Sequence, residues 1–129
     1  MIVEHLALAQ VETQLQRRGF ETTRKARNCP EGDIHAQRGE RRLRLEVKGL
    51  AKRGAVWLKK RQVSAVDIVV IYVVQDDDVW VLSPAEACAL LDAYQEDFTL
   101  RRGRPPAAEG FNQSQFPEPT GWPALDRLL

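Results

Sequence analysis

Asp33, Glu46 and Lys48 are the residues of this 129-residue chain whose types and spacing suit chemistry. They lie in two short stretches, Gly32-Asp33-Ile34-His35-Ala36 and Leu43-Arg44-Leu45-Glu46-Val47-Lys48-Gly49. In the second stretch apolar and charged residues alternate. Leu43, Leu45 and Val47 therefore share one face of a strand, and Arg44, Glu46 and Lys48 share the other. An Asp opens the strand before it. Two carboxylates and one amine brought together can hold a hard divalent cation and act on a phosphate. Without that convergence, a Glu and a Lys two apart on a strand make a surface ion pair of little energetic consequence.

The elements that must position these residues can be read along the chain. Ile2 to Arg18 has the spacing of an amphipathic helix, with Leu8, Val11 and Leu15 on one face and Gly19 as its stop. Residues 20–27 read as a first strand, and 28–32 as a turn-rich loop that delivers Asp33. Residues 33–38 form a second strand, Arg38-Gly39-Glu40 a tight turn, and 41–48 a third strand. Residues 59–66 read as a short helix. The near-continuous apolar run 67–74 reads as a strand buried on both faces. Asp76-Asp77-Asp78 makes a turn; it lacks the spaced ligands of a calcium loop. A short strand follows at 79–82. Ser83, Pro84 and Glu86 then start a helix with a capping box, expected to run to about Tyr94. Five of the seven prolines fall between Pro105 and Pro123. The division expected is a domain over 1–100 and a Pro-rich tail over 101–129. The tail reads as extended or poorly ordered, with 122–129 apolar enough to dock back on the domain as a short helix.

The run Gly-Asp-Ile, polar hairpin, alternating strand, Glu-Val-Lys-Gly resembles the PD-(D/E)XK nuclease superfamily. Its pattern is an Asp, then (Asp/Glu)-x-Lys at the end of a strand. Pro30 here stands three residues before Asp33 instead of directly before it. The likeness covers roughly residues 2–75. It implies an α/β restriction-endonuclease-like core of helix, three-stranded meander, helix and strand, a mixed sheet flanked by helices. Residues beyond it would add a C-terminal strand–helix extension. It further implies a metal-dependent DNA nuclease using Mg²⁺ or Mn²⁺. Asp33, Glu46 and the Val47 carbonyl would be ligands, with Lys48 near the scissile phosphate. Gln62 on the short helix, with Lys60 as its substitute, would reach toward the attacking water. Where many members carry a Glu on the first helix, this chain has Leu8. Glu4 and Glu12 lie one turn to either side, and Glu12 is the preferred further ligand. The small size resembles archaeal Holliday-junction resolvases, which makes a homodimer part of the expectation.

Composition is that of a globular protein, 43% hydrophobic and 29% charged. No apolar run approaches membrane-spanning length, and the first residues lack a signal-peptide pattern. Cys29 and Cys88 are the only cysteines and form no C-x-x-C pair, so a reducing cytoplasm is expected. The net charge of +1 hides an asymmetry: residues 1–62 carry +8 and residues 63–129 carry −7. The basic half holds the candidate site and suits a polyanion, with Arg44, Lys52, Arg53, Lys59, Lys60 and Arg61 as nucleic-acid contacts. His35 is a weaker candidate base, and Cys29, Asp33 and His35 lack the paired spacing of a zinc site. Cys88 reads as a core thiol. Val56-Trp57-Leu58 reads as a core strand edge, with base stacking by Trp57 as the alternative. Two rival functions stay open: an inactive nucleic-acid-binding module of the same fold, and an interaction subunit of a DNA-processing complex. No aromatic motif favours RNA.

Overall fold

A computed structural model describes residues 2–129. Helix α1 (Ile2–Arg17) buries Ala7, Leu8, Val11 and Leu15. Strands β1 (Glu21–Arg24), β2 (Ile34–Arg38) and β3 (Arg41–Leu50) follow as an antiparallel meander. A two-residue strand β4 (Val56–Trp57) and a short helix α2 (Lys60–Ser64) lead to β5 (Ile68–Val73), which pairs parallel to β3. A parallel pair needs such a crossover, since a tight hairpin can only join antiparallel strands. Strand β6 (Asp78–Leu82) completes a mixed sheet of order β1-β2-β3-β5-β6. Helix α3 (Pro84–Arg102), β7 (Gly110–Phe111), a 3₁₀ turn (Gln113–Gln115) and α4 (Ala124–Leu128) end the chain.

Period-two alternation along β3 and β5 divides the core. Leu43, Leu45, Val47, Ile68 and Val70 face α1 and α4. Val69, Ile71 and Val73 face a second cluster built by α2, α3, β4 and β7. All six residues of β5 are buried, as a strand covered on both faces requires. Among the described residues no helix is long and apolar enough to cross a membrane.

The first strand is shorter than its sequence span, because residues 25–33 fold back as a loop held by a Lys25 N–H to Asp33 O bond of 2.8 Å. Helix α3 starts as expected, with Ser83 Oγ accepting from the Glu86 N–H and Glu86 Oε1 accepting from the Ser83 N–H. It runs beyond Tyr94 to Arg102, because nothing before Gly103 breaks it. Only its first half is packed into the core, at Ala87 and Leu91.

The Pro-rich segment is ordered against the sheet. Phe111 of β7 is buried in register with Val56. Trp80 Nε1 donates to Pro117 O at 2.9 Å. Thr120 Oγ1 then accepts from the Val81 N–H at 2.8 Å, and the Gly121 N–H donates to Val79 O at 3.1 Å. These bonds occupy the outer edge of β6, which would otherwise be open to pairing with another chain. Leu125 is fully buried in the cluster that α1 and the sheet form, and Asp126 pairs with Arg18 at 2.7 Å. Leu125→Ala is expected to cost about 2–5 kcal/mol, the usual range for truncating a core leucine. A urea melt checks it, and a loss under about 1 kcal/mol would mean that α4 is not part of the folded core.

Candidate active site

Asp33 sits at the bend just before β2, and its place is fixed twice. Its N–H donates to Leu45 O at 2.8 Å, and its Oδ2 accepts from the Val47 N–H at 2.8 Å. Gly32 makes the turn possible. Its φ is +102°, and a side chain there would meet the Leu45 carbonyl at 2.7 Å. A strand residue's N–H and C=O point to the same edge. The Val47 carbonyl therefore opens toward the edge that β2, which begins opposite Leu45, no longer covers.

Glu46 and Lys48 project from the opposite face to Leu45 and Val47, as the alternation requires. Lys48 Nζ lies 3.4 Å from Glu46 Oε2. The three side chains and the Val47 backbone line one open cavity of about 1120 Å³. One wall is the loop from Arg27 to Pro30; the other is Lys59, Arg61 and Gln62 at the start of α2. Gln62 Oε1 accepts from the Lys59 N–H at 2.8 Å, which spends its oxygen on the helix start and leaves its amide NH₂ without a partner among the described residues.

Glu46 is not a solvated strand residue: it is 6% exposed. Burial pushes its carboxyl up to about 7, the neighbouring Asp33 charge adds to the rise, and Lys48 opposes it. Two carboxylates held together with one amine between solvent and core form a donor set for a hard cation. Mg²⁺ commonly takes one or two carboxylates and completes its shell with water and substrate oxygens. The residues therefore fit such an ion. Among the described residues there is no cluster of three or more His, Cys, Asp and Glu that could hold a metal. His35 Nε2 lies within 3.0 Å of Glu31 O.

The first helix corrects one expectation. Glu12 does not line the cavity; it takes Arg24, with Oε1 at 2.7 Å from Nη2. Glu4 does line it. The N-terminal end of α1 is what lies against the end of β3, where a side chain at Gly49 would meet the Val3 carbonyl at 2.8 Å. Glu12 is two turns on, about 12 Å further along the axis.

The basic residues divide into two groups. Arg44 lies 3.6 Å from Asp67, Arg53 pairs with Asp78 at 2.7 Å and Asp76 at 3.8 Å, and Lys60 pairs with Asp92. These partners all come from the acidic half, so the charge asymmetry is partly neutralised inside the fold. Lys60 accordingly faces α3 and not the cavity. Lys52 is exposed outside the cavity lining. Lys59 and Arg61 line it and make no ion pair among the described residues. Arg27, on the other wall, is not among the nucleic-acid contacts expected from sequence. Its signal is position: it is the last basic residue before the loop that delivers Asp33.

No family model matches the sequence, and no curated protein matches it. Solved structures do. The Holliday junction resolvase Hjc of Archaeoglobus fulgidus is 17% identical, with a TM-score of 0.58 over 92% of this chain and 98% of its own. A bacterial homing endonuclease, I-Ssp6803I, is 14% identical, with a TM-score of 0.51 over 64% of this chain. The chain spans 64% of that endonuclease's length. At these identities the likeness is one of architecture, and the sheet order and flanking helices agree with it. The chain has the restriction-endonuclease-like fold of the PD-(D/E)XK nucleases.

Proposed function

We propose that this chain hydrolyses phosphodiester bonds in DNA with a bound Mg²⁺ or Mn²⁺. The observation that carries the reading is the meeting of Asp33, Glu46 and Lys48 in one open cavity whose walls hold Arg27, Lys59 and Arg61. Asp33, Glu46 and the Val47 carbonyl would hold the ion. Bound there, a divalent cation lowers the pKa of water and offsets charge on a phosphate oxygen. Lys48 holds its ammonium beside Glu46 and donates to the phosphate as negative charge builds in the transition state. The Gln62 amide orients a water on the α2 side. Arg27 and Lys59–Arg61 hold flanking phosphates from the two walls. The fold's neighbours include a resolvase and a homing endonuclease, which supports DNA as the substrate class.

The test is cleavage of labelled DNAs of several structures with Mg²⁺, Mn²⁺ or EDTA, comparing wild type with Lys48→Ala and Asp33→Asn. Metal-dependent cutting that both variants lose supports the reading. Salt-sensitive binding without cutting would replace it with an inactive binding module; neither activity would leave only a partner subunit. A homodimer belongs to the same proposal, and sedimentation of the protein with and without DNA checks it.

The first helix yields a separate prediction. Glu12→Ala is expected to leave the cleavage rate within about twofold and cost under about 1 kcal/mol, because it removes only a partly exposed pair with Arg24. Parallel cleavage assays and melts measure both. A loss of cleavage above about tenfold would show that Glu12 does reach the reacting centre.

A further inference from the structure

Trp57 is 57% exposed, between neighbours that are both buried: Val56 and Leu58 are 1% exposed. Alternation along an extended segment explains this and turns the indole outward. Lys59 continues in extended backbone, with φ −95° and ψ 145°. Trp57 and Lys59 therefore project from the same side, about 6.6 Å apart at two residues of strand rise. Lys59 forms part of the cavity wall. The indole is also held in place. It lies over Gly110 of the paired strand β7, where a side chain would meet Trp57 Cε3 at 2.9 Å and collide with the Val56 carbonyl. The segment is thus a core strand edge at Val56 and Leu58, and Trp57 alone presents an exposed, fixed ring on the side of Lys59, which makes no ion pair among the described residues.

We propose that Trp57 stacks on an unpaired base of the strand that leaves the cavity past Lys59. The substrate class is then DNA with a single-stranded segment next to the scissile phosphate. A base inside continuous duplex has both faces covered by its neighbours, so a surface indole can reach only an unpaired or terminal one. Stacking of this kind is tolerant of sequence and strong per base. The inference deepens the nuclease reading and rests on it.

The experiment measures binding in EDTA, which prevents cutting, of a fluorescent oligothymidylate and of a covalently closed circular duplex, which has no terminal base. Wild type, Trp57→Ala and Trp57→Phe are compared, with melts to verify folding. Trp57→Ala is expected to weaken binding to the single strand by about five- to a hundredfold. Trp57→Phe should restore much of that loss, since it returns a ring, and duplex binding should change far less. Equal loss on both DNAs, no loss on the single strand, or no rescue by Phe would overturn the proposal. Metal-dependent cleavage by wild type together with any of these results would overturn the stacking role alone. Failure of wild type to bind or cut any DNA would overturn the nuclease reading and this inference together.

Discussion

Asp33→Asn and Lys48→Ala should each lower metal-dependent cleavage by about 10²–10⁴-fold, the range for losing one charged group at a reacting centre. The two losses differ in kind. In Asp33→Asn the amide oxygen can still accept from the Val47 N–H, so the bend at the start of β2 survives while half of the carboxylate pair is lost. The defect of Asp33→Asn should then recede at high Mn²⁺, because it lies in holding the ion. The defect of Lys48→Ala should not, because the ammonium acts on the phosphate. Asp33→Ala would confuse the two. It strands the Val47 N–H and should cost a further ~1–3 kcal/mol of stability. Cleavage rates across a metal titration, with melts of each variant, separate these cases. Cutting by Lys48→Ala at the wild-type rate would remove the amine from the mechanism.

The central part of the fold and site is legible in the sequence because local patterns and long-range pairing agree there. The alternation from Leu43 to Lys48 assigns each side chain to its face, and the unbroken apolar run of β5 announces a strand covered on both sides. Ser83, Pro84 and Glu86 mark the start of α3 with groups that bond in the structure as their types require. The Gly32–Asp33 turn is visible for the same reason: a glycine must precede the Asp where backbone approaches Leu45.

What is illegible depends on contacts between distant residues. Glu4 and Glu12 sit one turn either side of Leu8, so helix periodicity cannot choose between them. The choice is made by the approach of Val3 to Gly49. The basic residues can be counted but not sorted, because their partners Asp67, Asp76, Asp78 and Asp92 lie far along the chain, beyond the reach of any local pattern. Proline-rich composition makes residues 101–129 look loose. Their order comes from Phe111, Thr120 and Leu125 finding places that other elements leave open. Val56-Trp57-Leu58 is the core strand edge that it reads as, but the exposure of Trp57 within it is illegible, because a strand of two residues is too short to reveal its own alternation.

Glu46 carries the second large expectation. Its carboxyl is raised to about 7 in the folded chain, by burial first and by Asp33 next, from 4.5 when unperturbed. The native state thus holds a proton that the unfolded state releases between about pH 4.5 and 7. Stability of the metal-free protein should therefore fall as pH rises through that window, contrary to the usual behaviour of a paired carboxylate. The ionised form is destabilising above about pH 7 and the effect is absent below about pH 4.5. Glu46→Gln removes the buried charge. It should stabilise the metal-free protein at about pH 8 by about 1–2 kcal/mol, less than the full shift would give because the cavity is open to water. The same change should reduce cleavage by at least about 10²-fold, the trade expected where a strained site serves function. A bound cation needs the ionised carboxylate, so metal affinity should rise with pH through about 7 and binding near that pH should release about half a proton. Urea melts of both proteins from about pH 4 to 8, and calorimetry of Mn²⁺ binding in buffers of different ionisation enthalpy, measure the two effects. A flat stability profile with no proton release would mean that Glu46 is already ionised and its burial is compensated by Lys48 alone. A rising profile in wild type that Glu46→Gln leaves unchanged would assign the pH dependence to other groups.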